Sequence, residues 1–127
     1  MRFLVLSHGE VVGHSNLPHI DVGMGIVRGL FYPNERYATI QPIIRSHMMA
    51  DGLLGEHDPT ALKQARERIK ELELQIQDAN SEPLECELVH ITDLSQELEE
   101  NGCEIDVLGF SSAIKQKFWP VEWENWR

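Results

Sequence analysis

Between residues 58 and 83 the chain carries its clearest periodic signal, and that signal limits every architecture open to it. Asp58-Pro59 supplies a helix cap followed by proline at the first helical position, where a missing N–H is no loss. Leu62, Ala65, Ile69, Leu72 and Ile76 then recur at spacings of three, four, three and four, one apolar stripe along a helix. Asn80-Ser81-Glu82-Pro83 stops it. An earlier stripe runs through Tyr37, Ile40, Ile44 and Met48, with Asn34 as N-cap and Glu35 in the first turn. Pro42 lies inside that stripe, so the helix either kinks there or restarts with Pro42 near a new N-terminus. Two helices therefore occupy the middle of the chain, with strands on either side.

The flanks read as strands. Phe3 to Leu6 is uniformly apolar, and a tight hairpin around His8-Gly9-Glu10 leads into Val11-Val12. Gly13 to Asp21 is polar and contains Pro18, which predicts an irregular connection, and Ile26 to Tyr32 is a further strand-like run. Leu84–Leu94 and Cys103–Phe110 are the last two strands, joined through Asn101-Gly102 as a hairpin turn. Val89, Ile91, Ile105, Val107 and Phe110 would face the core, while Glu85, Glu87, Glu104 and Asp106 alternate with apolar residues and predict a row of carboxylates on one face. The expected fold is α+β, a mostly antiparallel β-sheet with two central helices packed on one face. One domain spans 1–127: N-terminal strands at 1–32, a helical pair at 34–79, an acidic hairpin at 84–110 and a tryptophan-rich segment at 118–127. At 127 residues it can bury about two-thirds of its unfolded surface without metals or disulfides.

Charge narrows the partners. The chain has 21 acidic residues against 11 basic ones, a net charge of −10. From Glu71 to Asp106 there is neither Lys nor Arg, and the acids of that stretch hold all the excess. Such a surface repels nucleic acid and anionic membranes, attracts basic proteins in a salt-sensitive way, and also favours solubility for its own sake. No apolar run is long enough to span a membrane, and Met1–Ser7 is too short for a signal-peptide core. Cys86 and Cys103 form no C-x-x-C pair and read as reduced, packed thiols of a cytoplasmic protein.

Several local patterns invite chemistry. His14, His19 and Asp21 share a loop and are the candidate ligands of a metal-dependent enzyme, although no H-E-x-x-H or cysteine partner accompanies them. Ser7-His8 and His14-Ser15 are sequence neighbours, which on a strand point to opposite faces and so argue against a catalytic dyad. Gly23-Met24-Gly25 with Gly29 is followed by a strand-like run where a phosphate loop needs a helix N-terminus; a turn or bulge is the better reading. No cofactor is expected. Trp119, Trp123 and Trp126 cluster at spacings of four and three, and Trp123 and Trp126 are candidate partner anchors. The stripe from Leu62 to Ile76 could alternatively serve a homodimeric scaffold, so a monomer or weak dimer is expected.

Across most of its length the chain also resembles small acidic bacterial immunity-type proteins of toxin–immunity loci, including contact-dependent inhibition. The residues that carry the resemblance are Gly13-His14-Ser15-Asn16-Leu17, Asp21-Val22-Gly23-Met24-Gly25, Gly29-Leu30-Phe31-Tyr32-Pro33 with Tyr37, and Asp93-Leu94-Ser95 through Gly102 to Val107-Leu108-Gly109. It implies a cytoplasmic, non-enzymatic protein that neutralises a basic toxin domain, such as a nuclease, by covering its active site. The contacts expected from the charge pattern are Glu85, Glu87, Glu104 and Asp106, with Glu99 and Glu100 at the rim.

Overall fold

In the computed structural model, which describes residues 2–52, 58–98 and 102–126, the strands divide into two antiparallel sheets. The first hairpin forms as expected. His8 and Gly9 both adopt positive φ, the twist that a two-residue turn needs, and join β1 (Phe3–Ser7) to β2 (Glu10–Ser15). The polar segment that follows is less irregular than its composition suggests, because His19–Asp21 (β3) pairs with β4 (Ile26–Leu30) across a turn. In that turn the Asp21 carbonyl accepts from Gly25 N–H at 2.8 Å, and Gly25 has φ +71.

Two apolar runs that look continuous are each divided between the sheets. After β4 the chain crosses at Phe31, whose N–H donates to the Cys103 carbonyl, and Tyr32–Pro33 (β5) then pairs with β2. The second run breaks at Glu85-Cys86-Glu87, between β7 (Pro83–Leu84) and β8 (Leu88–Asp93). With β6 (Leu74–Gln77) and β9 (Cys103–Leu108), the orders are β5-β2-β1-β6-β7 and β3-β4-β9-β8. Phe3, Val5, Val12 and Ile76 from the first sheet meet Val27, Val89, Ile105 and Val107 from the second in one core.

In the chain the first helices come after β5 and before β6. Asn34 caps a 3₁₀ turn at Glu35–Thr39, and α1 (Gln41–Ala50) restarts with Pro42 in its first turn. Ile44 and Met48 enter the core, and α1 packs against β8. Asp58 caps α2 (Pro59–Glu71) by accepting from the Thr60 and Ala61 N–H groups. Leu62 and Ala65 bury themselves against Ala50 of α1, so the stripe closes on its own chain.

The helical pair assigned to 34–79 needs correction at its end. Leu72 is the C-cap of α2, Glu73 turns the chain with φ +49, and β6 follows. Leu74 and Ile76 alternate with Gln75 and Gln77, and that period of two coincides with the last step of the helical stripe. Strand wins because β6 hydrogen-bonds on both sides, to β1 and to β7. With the helix ending at Glu71, Arg68 and Lys70 fall in its last turn, where positive charge suits the helix dipole.

α3 (Ser95–Leu98) occupies the connection between β8 and β9. The expected Asn101-Gly102 turn lies partly outside the described residues, as do Glu99 and Glu100. What fixes this corner is Asp93, which is wholly buried. Its carboxylate accepts from Tyr37 Oη at 2.6 Å, Gln41 Nε2 at 3.0 Å, Ser95 Oγ at 2.6 Å and Ser95 N–H at 2.9 Å. Arg45 donates to the Asp93 carbonyl and clasps Glu97 with two bonds of 2.8 Å. Burial alone would raise the Asp93 carboxyl, but the donors from Ser95, Tyr37 and Gln41 outweigh it and hold the group at about 2. Cys103 beside it is pushed up to about 12 by burial and by Asp93.

Asp93→Ala should therefore lower stability by about 3 kcal/mol or more, because it orphans buried donors, and Tyr37→Phe by about 1–2 kcal/mol. The Asp93 carboxyl lies below its ordinary 3.8, so its contribution is complete above about pH 4 and is lost as pH falls toward 2. Urea titrations at intervals across that window should show a steeper decline for the parent chain than for Asp93→Asn. Equal slopes would mean that Asp93 is not the titrating group.

Candidate functional site

One face of the four-stranded sheet is turned into the core and the other is open. Residues directly opposite on antiparallel strands share a face, so the register lays the outer side chains in rows. Leu88, Leu108, Ile26 and Asp21 form one row, His90, Asp106, Arg28 and His19 the next, and Thr92, Glu104 and Leu30 the third. Apolar, charged and mixed rows thus run side by side across β8, β9, β4 and β3. In the middle row Arg28 Nε lies 3.0 Å from one Asp106 oxygen, and His90 Nδ1 lies 3.9 Å from the other. Beyond the end of the short β3, Ser15, Leu17 and Pro18 close over Gly29 of β4. A hollow of about 430 Å³ opens there, with Pro18 and His19 on one side and Arg28, Leu30, Glu104 and Asp106 on the other.

The tryptophan segment lies at the β3 end of this face. Ser111 caps α4 (Ser112–Phe118), and Trp119 interrupts the helix before α5 (Pro120–Trp126). Trp119 is buried, stacks on Phe3 and Phe110, and donates from Nε1 to the Leu17 carbonyl at 2.9 Å. Its burial fixes where α5 starts. Trp123 is half-buried and its ring centroid is 6.3 Å from that of Trp126, which is 60% exposed. Trp126 sits over the β3–β4 turn beside Gly23, in a shallow cleft walled by Ile20, Asp21 and Glu122. Met24 at 70% and Val121 at 66% exposure add apolar surface nearby.

Of the expected acidic contacts, Glu104 and Asp106 lie on this face, side by side along β9. Glu85 and Glu87 do not continue their row. They precede β8, in the crossing between sheets; Glu87 donates its N–H to the Leu108 carbonyl and packs on Gly109. The acidic stretch is thus not a single patch. Asp78 and Asp93 are buried, Asp78 accepting from the Asn80 and Glu82 N–H groups. Glu97 is held by Arg45, Glu73 by His8 and Asp106 by Arg28. Sequence proximity does not become spatial proximity in a chain that changes sheets.

The metal alternative is not assembled. His14 lies in β2, stacked on Tyr32 and 3.2 Å from Arg2, and its imidazole is held below its usual range by burial and by that guanidinium. His19 and Asp21 lie in the other sheet, opposite Arg28 and Ile26. Among the described residues, no three His, Cys, Asp or Glu side chains are placed to hold a metal ion. The Ser–His neighbours face apart: Ser7 Oγ donates to the Leu72 carbonyl and His8 meets Glu73, while Ser15 Oγ accepts from Leu17 N–H. Both cysteines are free thiols, Cys86 half-buried and raised by burial. No helix among the described residues is long and apolar enough to cross a membrane.

No family model, curated protein or solved structure matches this chain, so the chemistry of the face rests on its own geometry. Sequence reasoning missed Arg28, Leu88, Met24 and the placement of Asp21. Alternation within Ile26-Val27-Arg28 was the available signal for Arg28; the join between Asp21 and Trp126 has none, because it depends on the Trp119 anchor. Acrylamide quenching of tryptophan emission should fall most when Trp126 is replaced by phenylalanine, less for Trp123→Phe, leaving the protected emission of Trp119. Equal quenching in the parent and Trp126→Phe chains would place Trp126 inside the fold.

Proposed function

We propose that this chain is a non-enzymatic binding protein that receives a basic protein partner on the open sheet face and its tryptophan end. Exposed Trp126 carries the reading, set over Gly23 with the Asp21 and Glu122 carboxylates in the same cleft. A large, amphipathic ring with carboxylates at its border suits a partner surface of lysines and arginines around an apolar pocket. The net charge of −10 would speed capture of such a partner, and Glu104 and Asp106 extend the acidic surface across the sheet.

The more specific form is a cytoplasmic immunity-type protein that occludes the active site of a basic toxin domain, such as a nuclease, whose own substrate is anionic. Resemblance to immunity proteins of toxin–immunity loci and the acidic surface support that form together. Glu85 and Glu87, in the crossing before β8, would act at longer range, through the field rather than through the central contact.

Affinity capture on the tagged chain from its source cells, at low and high salt, tests the reading. A basic protein should be retained at low salt and weakened by high salt. Trp126→Ala should reduce its affinity about tenfold or more, and Asp21→Asn with Glu104→Gln and Glu122→Gln should slow association. Glu67→Gln with Glu71→Gln on α2 should leave the central contact intact. Retention unchanged by both the Trp126 and the triple variant would overturn the assigned surface.

A further inference from the structure

A second recess lies on the other side of β8, between that strand and α2, and its polarity is the reverse of the protein's. Its volume is about 340 Å³, within the range of small-molecule sites. Ile69 of α2 and Leu88 and Val89 of β8 give it apolar lining, and Arg66 and Lys70, one helical turn apart, supply cations from α2. His47 of α1 and His90 of β8 complete that end, their ring centroids 5.8 Å apart and nearly perpendicular. Asp51 is the acid that faces them.

The recess has a direction. It continues past Ile69, Lys70, Leu88 and Val89 into a smaller hollow of about 210 Å³, where Leu74 and Cys86 extend the apolar lining. Glu73 and Glu87 stand at that far end. One end therefore attracts a negative charge, the middle accepts a chain of carbon atoms, and the far end repels a second negative charge. Burial first, then His90 and Arg66, hold the His47 imidazole below its usual range against the pull of Asp51, and an anion seated among the cations would favour its charged form.

We propose that the α2–β8 recess binds a small amphiphile with one carboxylate, its head among Arg66, Lys70, His47 and His90 and its apolar tail along Ile69, Leu88 and Val89 toward Leu74. A dicarboxylate would meet Glu73 and Glu87, and an uncharged amphiphile would leave the cations without a partner. Leu88 and His90 also belong to the outer rows of β8, but the cationic wall on α2 shares no residue with the Trp126 cleft, so Arg66 and Lys70 test this site separately.

Titration of the full chain with sodium octanoate, followed by calorimetry and by amide resonances, tests it. Saturable one-to-one binding is expected, with a dissociation constant on the order of 0.1 mM and shifts centred on Ile69, Lys70, Val89 and His90. Arg66→Gln with Lys70→Gln should weaken it about tenfold or more. Lys63→Gln with Arg68→Gln, the same change of charge on the same helix but off the recess, should alter it less than about twofold. Binding should tighten as pH falls, because His47, held below its usual range by burial and by His90 and Arg66, gains a proton beside the head group; Asp51, Lys70 and, next to His90, Asp106 are the other charged groups around it. Octanol should bind at least about tenfold more weakly than octanoate. The proposal is overturned if octanoate gives no saturable binding, if both double variants weaken it equally, or if octanol binds as well.

Discussion

A buried carboxylate governs the geometry of this protein. Asp93 ends the outer strand of the four-stranded sheet, and its oxygens collect donors from the 3₁₀ turn, from α1 and from the start of α3. A charge without water is costly unless its lone pairs are filled. Here the filling groups come from elements far apart in sequence, so satisfying the charge forces those elements to one point. Arg45 completes the corner by binding the same residue's carbonyl and Glu97 on α3. Because α1 is fixed there, α2 is fixed through Ala50, Leu62 and Ala65, and the wall of the α2–β8 recess is fixed with it.

The parts of the fold legible in the sequence are those with a local physical cause. His8-Gly9 twists the first hairpin, Asp58-Pro59 starts α2, and Pro42 restarts α1, each through backbone chemistry within a few residues. The illegible parts are set by distant pairing. Nothing in Ile26–Tyr32 or Leu84–Leu94 announces a change of sheet, because both sheets need the same apolar residues. Ile76 satisfied two periods at once, and only its neighbours β1 and β7 decide between them. With the helix ending at Glu71, Arg68 and Lys70 occupy its last turn and suit its dipole.

The candidate surface was legible in part for the same reason. Alternation along Cys103–Leu108 correctly sets Glu104 and Asp106 on one face, and the crossing at Glu85-Cys86-Glu87 removes Glu85 and Glu87 from it. Asp78 and Asp93 count as surface charge in any composition, yet each accepts N–H groups two residues ahead and belongs to a turn. An aspartate at the end of a strand followed by Asn or Ser two positions later is the local pattern that distinguishes them. The clustering of Trp119, Trp123 and Trp126 conceals a division of labour, since the first is core and the last is surface.

The position of β9 has a consequence for how the molecule is made. Val27 pairs with nearby Ile20 but finds its second partner only in Val107, and Val5 finds one of its two only in Ile76. Contacts of such separation must close long loops before they yield any stabilisation, which slows folding relative to locally wired domains of this size. During synthesis the first hairpin and the β3–β4 turn emerge as isolated ribbons, each too small to be stable alone. The four-stranded sheet is complete only once β9 lies between β4 and β8, and the Phe3–Trp119 stack needs residues from both ends of the chain. Until then the two halves of the core share a nascent chain with exposed strand edges, and the interval is one in which a chaperone has reason to bind.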